Sequence, residues 1–108
     1  MDRILFINAC VRPSSRTLEL AQALLDKLSG SIEEVNLSRT PMAALDLKGM
    51  ERRGEASQKQ DFSHPDFDLA RQFAAADKIV VAAPYWDLMF PAALKTYLEN
   101  ITVAGITF

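Results

Sequence analysis

Apolar and polar positions follow two different periods along the chain, and their alternation predicts strands separated by helices. Residues 3–9 and 78–83 are short, continuous apolar runs with the composition of buried strands. Residues 31–37 form a weaker strand candidate, in which Glu33 and Glu34 predict a position at the edge of the sheet. We therefore expect three strands, of which the first and the last are buried.

The stretches between and after these strands carry helical periodicity. Residues 17–30 predict a helix that ends at Gly30. Residues 63–77 predict a helix that begins with Ser63 and Asp66 in the spacing of a capping box, and residues 91–101 predict one that begins with a proline. The apolar faces of the three helices consist of Leu18, Ala21, Leu24, Leu25 and Leu28; of Phe67, Ala70 and Ala74; and of Leu94, Tyr97, Leu98 and Ile101.

Residues 38–63 lack a comparable pattern. They are polar, and they predict a long loop that holds one short exposed helix. Strands joined by helical crossovers predict a parallel, doubly wound sheet, so the fold class is α/β. A chain of 108 residues with 49% hydrophobic residues has the size and composition of one domain, residues 1–108.

Composition and charge exclude several classes of function. The formal net charge of −2, without a basic block, argues against a nucleic-acid surface. No apolar run approaches the roughly 20 residues of a membrane span, and the first residues lack the flanks of a signal peptide. The single cysteine, Cys10, excludes an internal disulfide and a multi-cysteine metal site, and the cytoplasm is the expected location.

Candidate chemistry lies in two loops that follow buried strands, where ligands bind in open α/β sheets. The first loop, residues 9–17, holds Arg12, Ser14, Ser15 and Thr17 before a helix. Helix N–H groups, hydroxyls and a guanidinium suit a phosphate monoester. The alternative is that a serine only caps the helix and Arg12 is solvated. The loop has neither a dinucleotide fingerprint nor a Walker A pattern.

The second loop, residues 83–91, holds Tyr85, Trp86 and Asp87. Aromatic side chains beside polar backbone at the end of a strand suit a planar heteroaromatic ligand. The alternative is that both aromatic residues are core residues with a polar tip in water, and that the acid caps the loop. Together the two loops fit one ligand, in which a planar ring is joined to a phosphate.

Both loops resemble those of the flavodoxin-like NAD(P)H dehydrogenase (quinone) and azoreductase family. The family's phosphate loop reads Ser-Pro-Arg, followed by Ser-x-Ser or Ser-x-Thr before the helix. Its second segment reads proline, an apolar or aromatic residue, an aromatic residue and a polar residue, with Pro-x-x-Leu-Lys further on. The matching positions here are Cys10, Val11 and Arg12; Ser15, Arg16 and Thr17; and Pro84, Tyr85, Trp86, Asp87, Pro91, Leu94 and Lys95.

The resemblance implies that the first loop holds the phosphate of FMN and that the segment from Tyr85 to Leu88 lines its ring. Cys10 replaces a serine, and a thiol is a weaker donor. Members of the family are considerably longer, so residues 1–108 correspond to the N-terminal half to two-thirds of the fold. The flavodoxin-like sheet is therefore expected to be cut short after its third strand and the following helix.

The function implied is an FMN-dependent oxidoreductase that takes electrons from NADH or NADPH and reduces a small planar quinone or azo acceptor. A homodimer or a larger assembly is also implied. The cofactor carries the redox chemistry, so no side chain has to be a nucleophile. His64 is then interpreted as a surface or capping residue, and Cys10 as a small buried residue. Two alternatives stay open: an electron-transfer module without turnover, and an inactive fragment that acts by association.

Overall fold

The computed structural model of the protein describes residues 2–12, 14–85 and 90–108, and within these ranges strands and helices alternate. The strands are β1 (Arg3–Asn8), β2 (Ser31–Asn36) and β3 (Lys78–Ala82). The α-helices are α1 (Arg16–Asp26), α2 (Leu47–Lys59), α3 (Asp68–Ala75) and α4 (Ala92–Ile101), and a 3-10 turn spans Pro65–Phe67. None of the helices in these ranges is long and apolar enough to cross a membrane.

The three strands form a parallel sheet in the order β2-β1-β3. The central strand β1 pairs along its whole length with β2, and it places Ile4 opposite Lys78 and Asn8 opposite Ala82 of β3. Since β1 has strands on both edges and helices on both faces, its middle side chains leave almost no surface to water. Four consecutive residues of β1 are at most 2% exposed: Ile4, Leu5, Phe6 and Ile7. The predicted doubly wound α/β sheet is thereby confirmed.

Alternate side chains of β1 enter two separate cores. On one face, α4 and the end of β2 close a cluster made of Leu5, Ile7, Ala9, Val35, Leu37, Leu94, Tyr97 and Ile101. On the other face, α1 closes a cluster made of Ile4, Phe6, Cys10, Ala21, Leu25 and Ala82. Strand side chains point alternately to opposite faces, and this period of two explains why neighbours in β1 belong to different clusters.

The middle of the chain is more regular than its sequence predicts. The short helix expected within residues 38–63 is α2, which has 13 residues. It begins where the carboxylate of Asp46 accepts a hydrogen bond of 2.8 Å from the N–H of Gly49, and it ends at Gln60 in a left-handed conformation. Arg53 donates to the carbonyls of Glu99 and Thr102 at the end of α4, which fixes α2 to the rest of the fold.

The first helix ends earlier than predicted, and Gly30 has a different role. The helix α1 ends at Asp26 with Lys27 as its C-cap, so Gly30 does not terminate it. Gly30 has a φ of +152° and leads into β2, where an added Cβ would lie 2.5 Å from the carbonyl oxygen of Asp2. Glycine is needed there because the backbone passes too close for a side chain.

The predicted capping box before α3 is also wrong. Ser63 bonds instead to the carboxylate of Asp61, and the Nδ1 atom of His64 accepts a hydrogen bond of 3.0 Å from the N–H of Asp66. A 3-10 turn results, and α3 begins only at Asp68. The interpretation of His64 as a capping residue is confirmed. The predicted apolar faces hold in part: Phe67 and Ala70 are buried, whereas Ala74, Leu24 and Leu98 are exposed.

The prediction that the last strand is buried is wrong, since only Ala82 of the five residues of β3 is buried. Within the described ranges β3 pairs only with β1, and Ile79 and Val81 are 38% and 49% exposed. These residues pair in register with Leu5 and Ile7, which are buried, so they lie on the same face of the sheet. β3 therefore exposes apolar side chains on one face of the sheet, and on its outer edge it has backbone groups that can pair with a further strand.

Tyr97 permits a test of the core. Its side chain is 1% exposed, and its hydroxyl has no hydrogen-bond partner among the residues that the structure describes. We expect Tyr97→Phe to be more stable than the parent by about 1 kcal/mol at neutral pH, because a buried unpaired hydroxyl costs free energy. Urea unfolding measures the difference, and a variant that is less stable than the parent would contradict it.

The same pair of proteins tests a pH dependence. Burial raises the pKa of Tyr97 from 10.0 to about 12. In the unfolded chain the hydroxyl ionises near pH 10, whereas in the folded chain it stays neutral until the pH approaches 12. Ionisation of Tyr97 therefore has no effect on the free energy of unfolding well below pH 10, and this free energy falls as the pH rises from 10 to 12. Over that window the parent should lose about 2 kcal/mol relative to Tyr97→Phe.

Candidate functional site

The two predicted loops leave the sheet side by side. They follow β1 and β3, which are neighbours in the sheet, and both start at its carboxyl edge. The N–H of Ala9, the first residue after β1, donates a hydrogen bond of 2.8 Å to the carbonyl of Ala82, the last residue of β3. Residues 9–15 and 83–91 therefore begin within one hydrogen bond of each other, at the edge where open parallel sheets bind ligands.

Ser15 shapes the end of the first loop. Its N–H donates to the carbonyl of Arg12 at 3.2 Å, and its Oγ accepts a hydrogen bond of 3.3 Å from the N–H of Leu18. It is thus the N-cap of α1 and is 8% exposed. As an acceptor in this bond, the hydroxyl keeps its own proton for a ligand. The expectation that a serine caps the helix and the expectation of an anion site are therefore compatible.

The remaining polar groups of the first loop face outward. Arg12 and Arg16 are exposed, and Thr17 is half-buried in the first turn of α1. The first N–H groups of a helix have no acceptor within the helix, and the helix dipole makes this end attractive for an anion. Two arginines and three hydroxyl residues therefore lie in the six residues that lead into the 11-residue helix α1 and form its first turn.

Cys10 lies at the same corner, but its donors are engaged inside the protein. Its N–H donates to the side-chain oxygen of Asn8 at 2.9 Å, and its thiol lies 3.7 Å from the carbonyl oxygen of Ala82. The residue is 5% exposed. Cys10 is therefore a small buried residue, as expected, and the structure directs its thiol at the protein backbone.

The second loop presents aromatic surface. Pro84 is half-buried and Tyr85 is 62% exposed. Tyr85 meets Phe90, which is 56% exposed, edge to face, with ring centroids 5.5 Å apart. The predicted ring-binding residues Trp86, Asp87 and Leu88 lie outside the described residues. Pro84 and Tyr85 are the part of the predicted ring site that can be described; Phe90 was not predicted, and neither aromatic residue is a core residue.

Comparison with known proteins agrees with this geometry. The profile of a family described as having a flavodoxin-like fold matches residues 2–108. The chain belongs to this family. A similar protein is the FMN-dependent NADH:quinone oxidoreductase of Clostridium beijerinckii, which is 33% identical over 115 residues and matches the whole of this chain. Another is FMN-dependent NADH:quinone oxidoreductase 2 of Clostridium acetobutylicum, which is 34% identical over 119 residues and also matches the whole chain.

A solved structure of an azoreductase from Bacillus anthracis superposes on this flavodoxin-like protein with a TM-score of 0.82 at 25% identity. The superposition covers all of this chain and 59% of the azoreductase. The chain spans 58% and 57% of the length of the two clostridial relatives. The resemblance drawn from the two loop motifs is confirmed, as is the flavodoxin-like fold.

Two residues at the candidate site were not predicted from the sequence. Phe90 was not among the predicted ring-binding residues, although it lies directly before Pro91 in the same loop as Tyr85. Asn8 was predicted only as part of the first strand, with no role in the site. Its signal is that it follows four consecutive apolar residues, and a buried polar side chain at the end of a strand needs specific partners.

A cleft lies elsewhere in the flavodoxin-like fold. It has a volume of about 570 Å³ and lies between the segment before α2, α2 itself and the 3-10 turn. Arg52 and Asp66, which form an ion pair, belong to its lining. None of its lining residues belongs to either predicted loop, so it is separate from the candidate site.

Proposed function

We propose that this flavodoxin-like protein binds FMN across the two loops and works as an NAD(P)H-dependent oxidoreductase on quinone or azo acceptors. One observation carries the proposal. The hydrogen bond between Ala9 and Ala82 places the loop that leads to the capped start of α1 beside the loop that holds the exposed aromatic pair Tyr85 and Phe90. Two relatives are named FMN-dependent NADH:quinone oxidoreductases, which supports FMN as the flavin and NADH as one donor.

The phosphate would lie over the start of α1. Ser15 and Thr17 would donate their hydroxyl protons, and the free N–H groups of the first helical turn would point at the same oxygens. Arg12 and Arg16 would add charge from the solvent side. Since the N–H and the thiol of Cys10 already have partners, Cys10 would support the loop without touching the phosphate.

The ring would lie over the second loop. Tyr85 and Phe90 provide flat apolar surface there, and Pro84 stiffens the backbone at the exit from β3. By resemblance to the family, Trp86, Asp87 and Leu88 would complete the surface under the ring. Bound FMN would supply the capacity to accept a hydride and pass electrons on. The residues of this chain would bind it, orient it and keep water from its ring.

The experiment is to reconstitute the purified protein with FMN and record its visible spectrum, followed by NADH and NADPH oxidation with a quinone and with an azo dye. Flavin bands with turnover support the proposal. Flavin bands without turnover on any acceptor identify an electron-transfer module instead. A protein that takes up no flavin overturns the proposal, and only the association described below then needs explanation.

Fluorescence tests where the ring lies. Trp86 is the only tryptophan of the chain and follows Tyr85 directly. We expect titration with FMN to quench most of the tryptophan emission, because the flavin ring would stack within a few ångströms of the indole. Calorimetry measures binding independently. Emission that stays constant while calorimetry detects binding would exclude the second loop as the ring site.

We also propose that the protein associates into a homodimer or a larger assembly. Two features of β3 support this proposal: the edge away from β1 can pair with a further strand, and Ile79 and Val81 leave apolar surface exposed on one face. The family resemblance, which implies a homodimer, points the same way.

A further inference from the structure

We propose that Asn8 and Cys10 are positioning residues that hold the phosphate loop and the ring loop at a fixed separation. The thiol of Cys10 bonds to the carbonyl of Ala82, and Asn8 bonds to the N–H of Cys10; we call the three residues the Asn8–Cys10–Ala82 clasp. The proposal rests on the proposed function, because its purpose is to match the length of one ligand that touches both loops. It assigns to Asn8 and Cys10 a role that involves no contact with that ligand.

Asn8 joins three parts of the chain through one buried residue. Its side-chain oxygen accepts the N–H of Cys10 at 2.9 Å, and its side-chain nitrogen donates to the carboxylate of Glu34 on β2 at 3.4 Å. Its own carbonyl accepts a hydrogen bond of 2.9 Å from the N–H of Leu37. An asparagine that bonds the N–H two residues ahead turns the backbone, so Asn8 sets the direction in which the phosphate loop leaves β1.

Cys10 connects this turn to the other loop. The carbonyl of Ala82 receives two donors, the N–H of Ala9 at 2.8 Å and the thiol of Cys10 at 3.7 Å. Since Ala83 follows directly, the ring loop starts from the residue to which the phosphate loop is bonded. Displacement of either loop relative to the other therefore breaks at least one of these bonds. The burial of Asn8 and Cys10, each 5% exposed, keeps water from replacing them.

A clasp of this kind affects ligands unequally. FMN has a ring and a phosphate and would bridge the two loops, whereas riboflavin has no phosphate and would contact the ring loop alone. Loosening the clasp lowers the effective concentration of one loop near a ligand held by the other. FMN affinity should then fall much more than riboflavin affinity. A residue that only stabilises the fold would lower both affinities by the same factor.

The test compares four variants with the parent by calorimetry with FMN and with riboflavin. Cys10→Ala and Asn8→Leu remove the two side-chain bonds of the clasp, and Cys10→Ser and Asn8→Asp retain a donor and an acceptor in the same places. We expect FMN affinity to fall about tenfold in Cys10→Ala and further in Asn8→Leu, with riboflavin affinity changed less than about threefold. The serine variant should recover most of the FMN affinity, whereas Asn8→Asp should recover less, because it loses the donor to Glu34 and places a second carboxylate beside it. Met50→Ala, an exposed change on α2 away from both loops, is the control.

Hydrogen exchange of the ligand-free proteins separates this proposal from the proposed function. Cys10→Ala should speed exchange in peptides covering residues 9–17 and in those covering 82–91, while peptides from α2 stay unchanged. Equal losses for the two flavins, or faster exchange in only one loop, would overturn the clasp. A parent protein that binds neither flavin overturns the proposed function, and the exchange measurement then decides the clasp alone. If Asn8→Leu does not fold, Cys10→Ala still decides it, since it removes a single thiol hydrogen bond.

Discussion

Replacing Ser15 and Thr17 together with alanine is expected to weaken FMN binding at least a hundredfold and to leave riboflavin binding nearly unchanged. A hydrogen bond to a charged group contributes about 1.5–3 kcal/mol, so the loss of two such bonds corresponds to a factor of roughly 10² or more. The hydroxyl of Ser15 accepts from Leu18 and retains its proton for the phosphate. Riboflavin has no phosphate, and its affinity therefore reports only the ring loop.

Two controls keep this prediction clear of effects on the helix. Ser15 is the N-cap of α1, and its loss costs about 1 kcal/mol of stability, which urea unfolding measures directly. Ser57→Ala removes an exposed hydroxyl on α2, away from both loops, and should leave FMN affinity within about twofold of the parent. A double variant that binds FMN as tightly as the parent would exclude the start of α1 as the phosphate site.

The parent protein is expected to sediment as a dimer or a larger species at micromolar concentration, and Val81→Lys is expected to shift it towards the monomer. Val81 is 49% exposed on β3, which has a strand on one edge only within the described ranges. A lysine there places a charge on apolar surface that would be covered in the assembly, and charged side chains are a common protection of strand edges. The dissociation constant of the assembly should rise at least tenfold, since burying an unpaired charge costs well above 1.4 kcal/mol.

Met50→Lys is the matched control for this change. Met50 is 59% exposed on α2, so the substitution makes the same change in charge on apolar surface away from the sheet. It should leave the sedimentation coefficient of the parent unchanged. A parent that is a cooperative, folded monomer at micromolar concentration would contradict the prediction, and would mean that the edge of β3 is protected within the single chain.

Local signals account for the parts of the fold that were predicted correctly. The apolar runs of β1 and β3 are continuous, and a window of a few residues reveals both of them, although only β1 is covered on both faces. The glutamates of β2 face solvent at an edge of the sheet, as their charge requires. The N-cap at Ser15 is likewise a local interaction, since donor and acceptor lie three residues apart.

The errors fall where distant residues decide the outcome. Gly30 was assigned to the end of a helix, but it is needed where β2 passes the carbonyl of Asp2. Residues 47–59 carry little apolar pattern because the helix they form buries only Ala56, and Arg53 fixes it to α4 through backbone carbonyls. The capping box at Ser63 is a local exception, since His64 accepts the N–H of Asp66 and Ser63 bonds to Asp61.

The sequence by itself determined the alternation of strands and helices, the buried core of β1, and that two polar loops follow β1 and β3. Each of these follows from periodicity and from interactions within a few residues. Only the tertiary structure decided that these loops start at one shared carbonyl, that Asn8 bonds to Cys10 and Glu34, and that the thiol of Cys10 bonds to Ala82. Residues 8–10 and residue 82 are more than seventy positions apart, and only the pairing of β1 with β3 brings them within one hydrogen bond.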